Sequence, residues 1–514
     1  MTTLESPCAG ITLSDVLRRH ARIRPTKVAF VDPHRRCTFS EMDERVTRLA
    51  NALSARGIDR GDRVAVLGYN SIELVESWLA ALRLGAIAVP LNFRMVADEI
   101  AYVLADSGAA AAVVDIALAP ALGEALAKAP SVDTVITIGG DMDDVIAAAD
   151  PVVIDVKVED EASAFIMYTS GTTGFPKGAV LTHRNLYLHA FSSIATLGDR
   201  DDDDCWMAVA PLFHTAGVSG MLPMFLNGRT TVIPPSGGFD PAAIIATIVE
   251  ERVTSCWMTP AQWRIVCAMP DLGSRDLSRL RRVWWGAAPA STTLLRSMTD
   301  TFPHAEIIAA FGQTECSPIT CLLRGEDALR KIGSVGTPML NVETRIVDNQ
   351  MNDVAQGEVG EIVYQGPLVM NEYWNKPDET AEAFRGGWFH SGDLVREDSE
   401  GYIYVVDRKK DMIISGGENI YCAEVENVLA AHPDIVEVAV IGRSDERWGE
   451  VPVAVVAASN ESLALEDLED FLRKRLARYK HPKRLELVDA LPRNPAGKVL
   501  KTELRTRFGS EIRP

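Results

Sequence analysis

Residues 169–178 concentrate the residue types that bind phosphate groups. They read Thr-Ser-Gly-Thr-Thr-Gly-Phe-Pro-Lys-Gly, with three glycines, four hydroxyl side chains and one lysine. Glycine lets the backbone approach an anion closely, hydroxyls donate hydrogen bonds, and lysine adds a positive charge. A flexible surface loop has a similar composition. Apolar strand-like runs on both sides, 164–168 and 179–181, favour a phosphate-binding loop held between two strands.

The stretches around this loop alternate between strand-like and helix-like patterns. Short apolar runs such as 63–67 and 86–90 alternate with helical stretches such as 40–56 and 71–84. This alternation is typical of α/β proteins with largely parallel sheets. A chain of 514 residues is too long for one hydrophobic core, so at least two domains are expected.

A change in sequence pattern marks a domain boundary. The strand-like run 400–406 is followed by a dense charge cluster, Asp-Arg-Lys-Lys-Asp, at 407–411. A charged break of this kind is typical of a linker. We therefore assign residues 1–408 to a large N-terminal domain and residues 409–514 to a small α+β C-terminal domain.

The composition excludes several classes of protein. A net charge of −19 argues against nucleic-acid binding, so an anionic ligand needs local positive charge. Eight scattered cysteines without a C-x-x-C pair indicate neither a zinc site nor a disulfide framework, and they favour a cytoplasmic location. No signal peptide or membrane-spanning run is recognisable. Peripheral membrane contact and self-association are left open. The acidic run 199–204 predicts a solvated loop and not a metal site.

Further motifs follow the phosphate loop in a recognisable order. They are Pro211-Leu212-Phe213-His214, Gly286-Ala287-Ala288-Pro289, Phe311-Gly312-Gln313-Thr314-Glu315, Ser391-Gly392-Asp393-Leu394, 407–411 continuing into 413–419, and 492–498. With the phosphate loop these make seven segments. Together they resemble the adenylate-forming superfamily of acyl-CoA synthetases, luciferases and peptide-synthetase adenylation domains. The resemblance covers essentially the whole chain. It implies an α/β fold with a large N-terminal domain of stacked mixed sheets and flanking helices, and a small mobile α+β C-terminal domain.

The resemblance also implies ATP, Mg²⁺ and coenzyme A as cofactors or co-substrates, and it assigns roles to individual residues. The residues implied to bind ATP or coenzyme A are Thr169, Ser170, Gly171, Thr172, Thr173, Gly174, Lys177, Gly286, Ala287, Ala288, Phe311, Gly312, Gln313, Thr314, Asp393, Arg408, Gly416, Gly417, Glu418 and Lys498. The residues implied to be catalytic are Lys498, Glu315, His214, Thr173 and Lys177. Glu315 is also the implied metal ligand, and Lys410 is the implied hinge.

The chemistry of these side chains suits such roles. Attack of a carboxylate on the α-phosphate of ATP needs neutralised charge at the phosphates more than it needs a base. Glu315 offers the oxygen ligands that Mg²⁺ prefers. Asp393 has two acceptor oxygens for ribose hydroxyls, and Arg408 adds a forked donor. The alternative roles are a loop cap for Glu315, a helix or turn cap for Asp393 and a surface salt bridge for Arg408.

The resemblance implies domain alternation as the mechanism. Lys498 bridges the carboxylate and the α-phosphate during adenylation. The C-terminal domain then rotates about Lys410, and the segment at 416–419 lines a tunnel for coenzyme A. The thiol attacks the acyl-adenylate directly, so no protein nucleophile is required.

The sequence says least about the acid. His214 stands where amino-acid-activating relatives have an aspartate, so the ammonium group of an amino acid would be left unpaired. The nearby residues Ala216, Gly217, Val218, Gly220, Met221, Trp257 and Met258 suit an apolar acyl chain or, equally, a core helix. The residues of the motifs are most similar to those of bacterial medium-to-long-chain fatty-acyl-CoA ligases. We predict that class, with an aryl-acid CoA ligase or a carrier-protein-loading enzyme as alternatives.

Overall fold

The computed structural model describes residues 12–152, 156–169, 176–198, 202–288, 290–415, 418–460, 462–473, 475–493 and 499–509. The chain divides into two compact units. The N-terminal unit comprises Met1–Glu343 and Tyr364–Phe389, and the C-terminal unit comprises Thr344–Val363 and His390–Pro514. A large unit built on sheets and a smaller C-terminal unit confirm the predicted fold class. The domain division between residues 408 and 409 stays a prediction.

The N-terminal unit alternates strands and helices along most of its length. Its helices are α1 (Leu13–Ile23), α2 (Phe39–Ser54), α3 (Ile72–Arg83), α4 (Ala97–Ser107), α5 (Ala119–Leu126), α6 (Met142–Ala148), α7 (His183–Leu197), α8 (Thr215–Leu226), α9 (Pro241–Glu250), α10 (Pro260–Cys267), α11 (Thr292–Thr301), α12 (Gly325–Ala328) and α13 (Pro377–Ala383). Its strands are β1 (Val28–Val31), β2 (Arg36–Thr38), β3 (Arg63–Leu67), β4 (Ile87–Leu91), β5 (Ala111–Asp115), β6 (Thr134–Ile138), β7 (Ser163–Thr169), β8 (Lys177–Thr182), β9 (Cys205–Met207), β10 (Thr230–Val232), β11 (Ser255–Met258), β12 (Arg282–Gly286), β13 (Glu306–Phe311), β14 (Cys321–Leu323) and β15 (Ser334–Pro338).

One sheet of this unit has the strand order β6-β5-β3-β4-β7-β8. Its neighbours are parallel up to β7, and β7 and β8 form an antiparallel pair. Successive residues of β3, including Val64, Ala65 and Val66, are all buried. A continuous apolar strand is what a parallel sheet with both faces covered requires. The antiparallel pair at the edge holds the predicted phosphate loop.

The second sheet of this unit runs in the order β15-β14-β13-β12-β11-β9-β10-β1-β2. The strands from β1 to β13 in that order are parallel, and β2, β14 and β15 add antiparallel pairs at the ends. The carboxyl ends of β12 and β13 lie side by side at Gly286 and Phe311. Ligands of open α/β sheets bind outside such strand ends, so this edge positions two of the sequence motifs.

The acidic run before β9 agrees only in part with the predicted solvated loop, since Asp202 and Asp203 are exposed and Asp204 is buried. Residues 199–201 lie outside the described ranges. Asp204 is 8% exposed, accepts a hydrogen bond from the Thr254 hydroxyl at 3.0 Å and is ion-paired with Arg281. The prediction is wrong for Asp204 because its charge is compensated by partners far away in sequence, which makes burial of a carboxylate affordable.

The C-terminal unit contains two smaller groups of strands and three helices among its described residues. Its elements are β16 (Glu343–Val347), β17 (Gly360–Gln365), β18 (Phe389–Glu397), β19 (Ile403–Arg408), β20 (Ile413–Ser415), β21 (Glu418–Ile420), α14 (Cys422–Leu429), β22 (Ile435–Asp445), β23 (Gly449–Ala458), α15 (Leu465–Arg473), β24 (Arg484–Leu487) and α16 (Lys501–Phe508). The strands β16-β17-β18-β19 are neighbours in that order, and a separate sheet has the order β21-β20-β23-β22 with β24 beside β23.

No helix in the described ranges of either unit combines the length and the apolarity that crossing a lipid bilayer requires.

Candidate active site

The predicted phosphate loop connects the antiparallel strands β7 and β8. Thr169 and Lys177 are paired in register, and the Thr169 hydroxyl lies 3.4 Å from the Lys177 carbonyl oxygen. The two predicted strands are therefore present and paired with each other. The predicted binding residues Ser170, Gly171, Thr172, Thr173 and Gly174 lie outside the described residues, and their roles stay predictions.

A segment that follows residue 370 runs along β8 and carries Tyr373 to the end of the phosphate loop. The Val180 amide donates to the Glu372 carbonyl at 2.9 Å, and the Trp374 amide donates to the Gly178 carbonyl at 2.7 Å. Between these bonds, the Tyr373 ring centroid lies 5.3 Å from Lys177 Nζ. This separation is within the range of a cation–π interaction.

Tyr373 also contacts the predicted metal ligand. Its hydroxyl donates to Glu315 Oε1 at 2.8 Å. Glu315 is 8% exposed, and its carbonyl accepts the Met370 amide at 2.7 Å. Lys177 and Glu315 are 138 residues apart in sequence, and one aromatic side chain links them. Sequence reasoning missed Tyr373, since a lone tyrosine after a turn carries no chemical signature.

The histidine motif reaches the same region through α8. His214 caps the start of α8, and its Nδ1 accepts the Ala216 amide at 3.2 Å. The next residue, Thr215, is buried, and its hydroxyl lies 3.1 Å from the hydroxyl of Thr314. Thr314 precedes Glu315 in the chain. His214 thus serves as a helix cap while standing close in sequence to the contact between the two motifs.

Backbone packing explains the glycines at the strand ends. A Cβ atom on Gly286 would lie 2.4 Å from the Ala310 carbonyl oxygen, and one on Gly312 would lie 2.0 Å from a backbone oxygen. Ala287 has a φ of 65°, a left-handed conformation that costs a non-glycine residue about 1 kcal/mol. The half-buried Phe311 ends the neighbouring strand. The exposed Ala287 and the half-buried Phe311 therefore lie on either side of the edge where the resemblance places adenine.

The small residues of α8 are packed against other parts of the unit. A Cβ atom on Gly217 would lie 2.3 Å from the Pro211 carbonyl oxygen, and one on Gly220 would lie 3.0 Å from an indole ring. Val218 and Met221 are buried and line a small apolar cavity of about 10 Å³. Of the two interpretations left open by the sequence, core packing accounts for these four residues.

The C-terminal unit brings together Asp393, which is predicted to bind ribose, and Arg408, which is predicted to bind ribose or phosphate. Asp393 on β18 and Arg408 on β19 are paired in register, with Arg408 Nε 2.7 Å from Asp393 Oδ1. Arg408 Nη1 also donates to the Ser391 carbonyl at 3.2 Å. The Asp393 side chain is only 6% exposed. The ion pair supplies this buried carboxylate with a positively charged partner.

A buried glutamate organises the same segment and was missed by sequence reasoning. Glu361 Oε2 lies 3.0 Å from both His390 Nδ1 and Lys409 Nζ, and Oε1 accepts the Gly392 amide at 3.0 Å. Burial acts to raise the pKa of Glu361, but the hydrogen bonds from His390 and Lys409 hold it below its usual value. Glu361 therefore ties the segment before Asp393 to the segment after Arg408.

Replacing Glu361 with glutamine is expected to destabilise the C-terminal unit by about 2 kcal/mol at neutral pH, because it removes the negative charge that Lys409 and His390 face. A depressed folded pKa means that the stabilisation is present above the unfolded pKa of about 4.3 and is lost as the pH falls through the folded pKa. Urea unfolding of wild type and variant between pH about 7 and about 2.5 measures this difference, because the range must extend below the unfolded pKa. A difference that stays constant over that range would indicate lost packing in place of lost charge.

The predicted hinge is surrounded by charged groups of the same unit. Burial lowers the pKa of Lys410. Arg505 on α16 is ion-paired with Asp411 at 2.5 Å, and Lys501 on the same helix is paired with Glu426 at 2.7 Å. The C-terminal helix is therefore anchored beside the hinge segment.

The other predicted residues of this unit are Gly416, Gly417, Glu418 and Lys498. Glu418 is exposed on β21, paired with Ser415 of β20. Gly416, Gly417 and Lys498 lie outside the described residues, and their roles stay predictions.

The surroundings of Glu315 suit its predicted role as a ligand of Mg²⁺. Within the described ranges, no group of three or more His, Cys, Asp or Glu side chains is arranged to hold a metal ion. Mg²⁺ bound with a nucleotide takes one or two carboxylates and completes its shell with phosphate oxygens and water. A single buried carboxylate, with one oxygen hydrogen-bonded to Tyr373, is sufficient for such a site.

Comparison with known proteins matches this arrangement to one family. Residues 17–374 match AMP-binding enzymes, and residues 424–498 match the AMP-binding enzyme C-terminal domain. A feruloyl-CoA synthase of an Amycolatopsis species is 41% identical over 493 residues, covering 96% of this chain and 98% of the relative. Long-chain-fatty-acid–CoA ligase FadD13 of Mycobacterium tuberculosis is 38% identical over 505 residues, covering 97% and 98%. The structure of o-succinylbenzoate coenzyme A synthetase from Bacillus subtilis with ATP and magnesium ion has a TM-score of 0.87 and 32% identity, covering 95% and 99%.

The chain belongs to the family of AMP-binding enzymes. Within that family it is an ATP-dependent CoA ligase. AMP-forming CoA ligases use ATP, Mg²⁺ and coenzyme A, in agreement with the cofactors predicted from the motifs.

Proposed function

We propose that the chain activates a carboxylic acid in two steps. The acid's carboxylate oxygen attacks the α-phosphorus of ATP, and pyrophosphate leaves. The coenzyme A thiol then attacks the acyl carbon, the thiol proton is lost to solvent, and AMP leaves. The observation that carries this proposal is the array of Lys177, Tyr373 and Glu315 at the base of the β7–β8 loop.

The proposed role of each residue follows from the charge of its side chain. The loop at 169–178 binds the β and γ phosphates, with Lys177 as its cation. Glu315 would hold Mg²⁺, and the ion would supply charge neutralisation at the phosphates. Asp393, ion-paired with Arg408, accepts the ribose hydroxyls. Lys498 bridges the acid and the α-phosphate, and rotation about Lys410 makes way for coenzyme A.

For the acid, we propose a medium-to-long-chain fatty acid. The similarity of the motifs supports this choice, and so does the 38% identity to a long-chain-fatty-acid–CoA ligase over nearly the whole chain. His214 in place of an acidic residue supports the exclusion of α-amino acids, whose ammonium group would lack a partner.

An aryl acid is the second candidate, and two buried polar groups favour it. His189 on α7 and Ser219 on α8 are fully buried, and neither His189 ring nitrogen nor Ser219 Oγ has a hydrogen-bond partner among the described residues. Burial lowers the pKa of His189 to about 3, so its ring is neutral. One turn earlier on α7, Asn185 donates to the Val369 carbonyl at 3.0 Å, next to the segment that holds Glu315.

Unsatisfied buried polar groups cost about 1–3 kcal/mol each. A hydroxylated or methoxylated ring would offer them hydrogen bonds that an alkyl chain lacks. The 41% identity to a feruloyl-CoA synthase also supports this candidate.

A panel of acids separates the two candidates. Octanoate, palmitate, ferulate and benzoate are each incubated with ATP, Mg²⁺ and coenzyme A, and both pyrophosphate and thioester are measured. We expect palmitate or octanoate to exceed the aryl acids by at least about tenfold in kcat/KM, because a pocket shaped for methylenes gains about 0.8 kcal/mol for each one buried. A preference for ferulate would overturn the fatty-acid proposal and leave the ligase proposal standing. Pyrophosphate without thioester for every acid would overturn the CoA step.

A further inference from the structure

Tyr373 contacts the two charged groups of opposite sign in the candidate site. Its hydroxyl donates to Glu315 Oε1 at 2.8 Å, while its ring faces Lys177 Nζ at 5.3 Å. The Tyr373 hydroxyl donates its hydrogen bond to Glu315 Oε1. Glu315 Oε2 is therefore the carboxylate oxygen that can bind another ligand. The ring attracts the ammonium group of Lys177 electrostatically. It carries no negative charge, so it does not take the place of an anion bound to Lys177.

The backbone around Tyr373 is firmly held. It bridges to Ala179 on β8, and its amide lies 3.0 Å from the Thr380 hydroxyl. Three residues further on, Lys376 Nζ is paired with Asp106 Oδ1 at 3.0 Å. The same Asp106 accepts the hydroxyl of Tyr168, which stands at the end of β7, at 2.7 Å. Tyr373 is therefore fixed relative to both strands that carry the phosphate loop.

We propose that Tyr373 is a positioning residue for nucleotide binding, which orients Glu315 for Mg²⁺ and Lys177 for the phosphates at the same time. This inference rests on the proposed function. A rigid support of this kind matters because a catalytic group misplaced by about 1 Å loses much of its effect. The two contacts use different parts of the side chain, so substitution can remove them separately.

Isothermal titration of the full chain with ATP tests the proposal, once with Mg²⁺ and once with EDTA. Tyr373→Phe removes the hydroxyl and keeps the ring. We expect it to bind Mg·ATP about tenfold more weakly than wild type and to bind metal-free ATP as wild type does, since a hydrogen bond to a charged group is worth about 1.5–3 kcal/mol. Tyr373→Leu also removes the ring, and we expect it to bind metal-free ATP about threefold more weakly.

Tyr404→Phe serves as the matched control. It removes a hydroxyl that lies 3.3 Å from Asp398 in the C-terminal unit. We expect its ATP affinity to equal that of wild type under both conditions. Circular dichroism of each variant reports whether it is folded.

The outcomes separate this inference from the function on which it rests. Wild-type affinity for Mg·ATP in Tyr373→Phe would overturn the positioning role while leaving the ligase proposal intact. Equal losses with Mg²⁺ and with EDTA in Tyr373→Phe would also overturn it, because they would indicate general damage to the site. A wild-type chain that fails to bind Mg·ATP would overturn both.

Discussion

Replacing Lys498 with alanine is expected to lower the rate of acyl-adenylate formation about a hundred- to a thousandfold, the size of effect seen when one donor to a developing transition-state charge is removed. Under the proposed mechanism Lys498 acts only in adenylation. The transfer of the acyl group from supplied acyl-adenylate to coenzyme A should therefore stay within about threefold of wild type. Pyrophosphate release without coenzyme A and thioester formation from acyl-adenylate measure the two steps separately.

Lys483→Ala is a suitable control for this experiment. Lys483 is an exposed lysine of the same unit, and its backbone amide pairs with the Pro452 carbonyl at 2.8 Å. Its loss should leave both steps unchanged. If Lys498→Ala formed the adenylate at the wild-type rate, the mechanism based on the 492–498 motif would be wrong.

Asp393→Ala is expected to weaken ATP binding about a hundredfold, since two hydrogen bonds from ribose hydroxyls to a charged acceptor would be lost. Comparison of ATP with 2′-deoxy-ATP makes the test specific. Wild type should bind the deoxy nucleotide more weakly than ATP, whereas the variant should bind the two equally. Isothermal titration measures the four affinities.

Removing Asp393 also leaves Arg408 without its 2.7 Å ion-pair partner. Inorganic tripolyphosphate, which lacks ribose, controls for that change and should bind variant and wild type alike. If the variant still discriminated ATP from 2′-deoxy-ATP, Asp393 would not be the ligand of the 2′-hydroxyl.

The sequence predicted the fold class and the strands on either side of the phosphate loop, because these depend on local patterns. Apolar runs before Thr169 and after Lys177 indicate β7 and β8 with little influence from the rest of the chain. The sequence predicted that Asp393 and Arg408 both bind the nucleotide, but it did not predict that they contact each other. Their direct contact depends on the register of β18 against β19, which local patterns leave open.

Tyr373 and Glu361 were beyond prediction for a different reason. Each acts through partners that are distant in sequence, and neither belongs to a motif with recognisable chemistry. The same distance explains the error at Asp204, whose burial depends on Thr254 and Arg281. A sequence window shows the charge of such a residue but not what compensates it.

The anchoring of α16 has a consequence for how this chain can vary. The helix begins at Lys501, three residues after Lys498, and it carries both Lys501 and Arg505 to partners near the hinge, Glu426 and Asp411. A substitution on this helix therefore acts on contacts next to Lys410 and on the residues that follow Lys498 in the chain. Under the proposed mechanism, we expect such a substitution to change the rate of the first half-reaction and the domain rotation together.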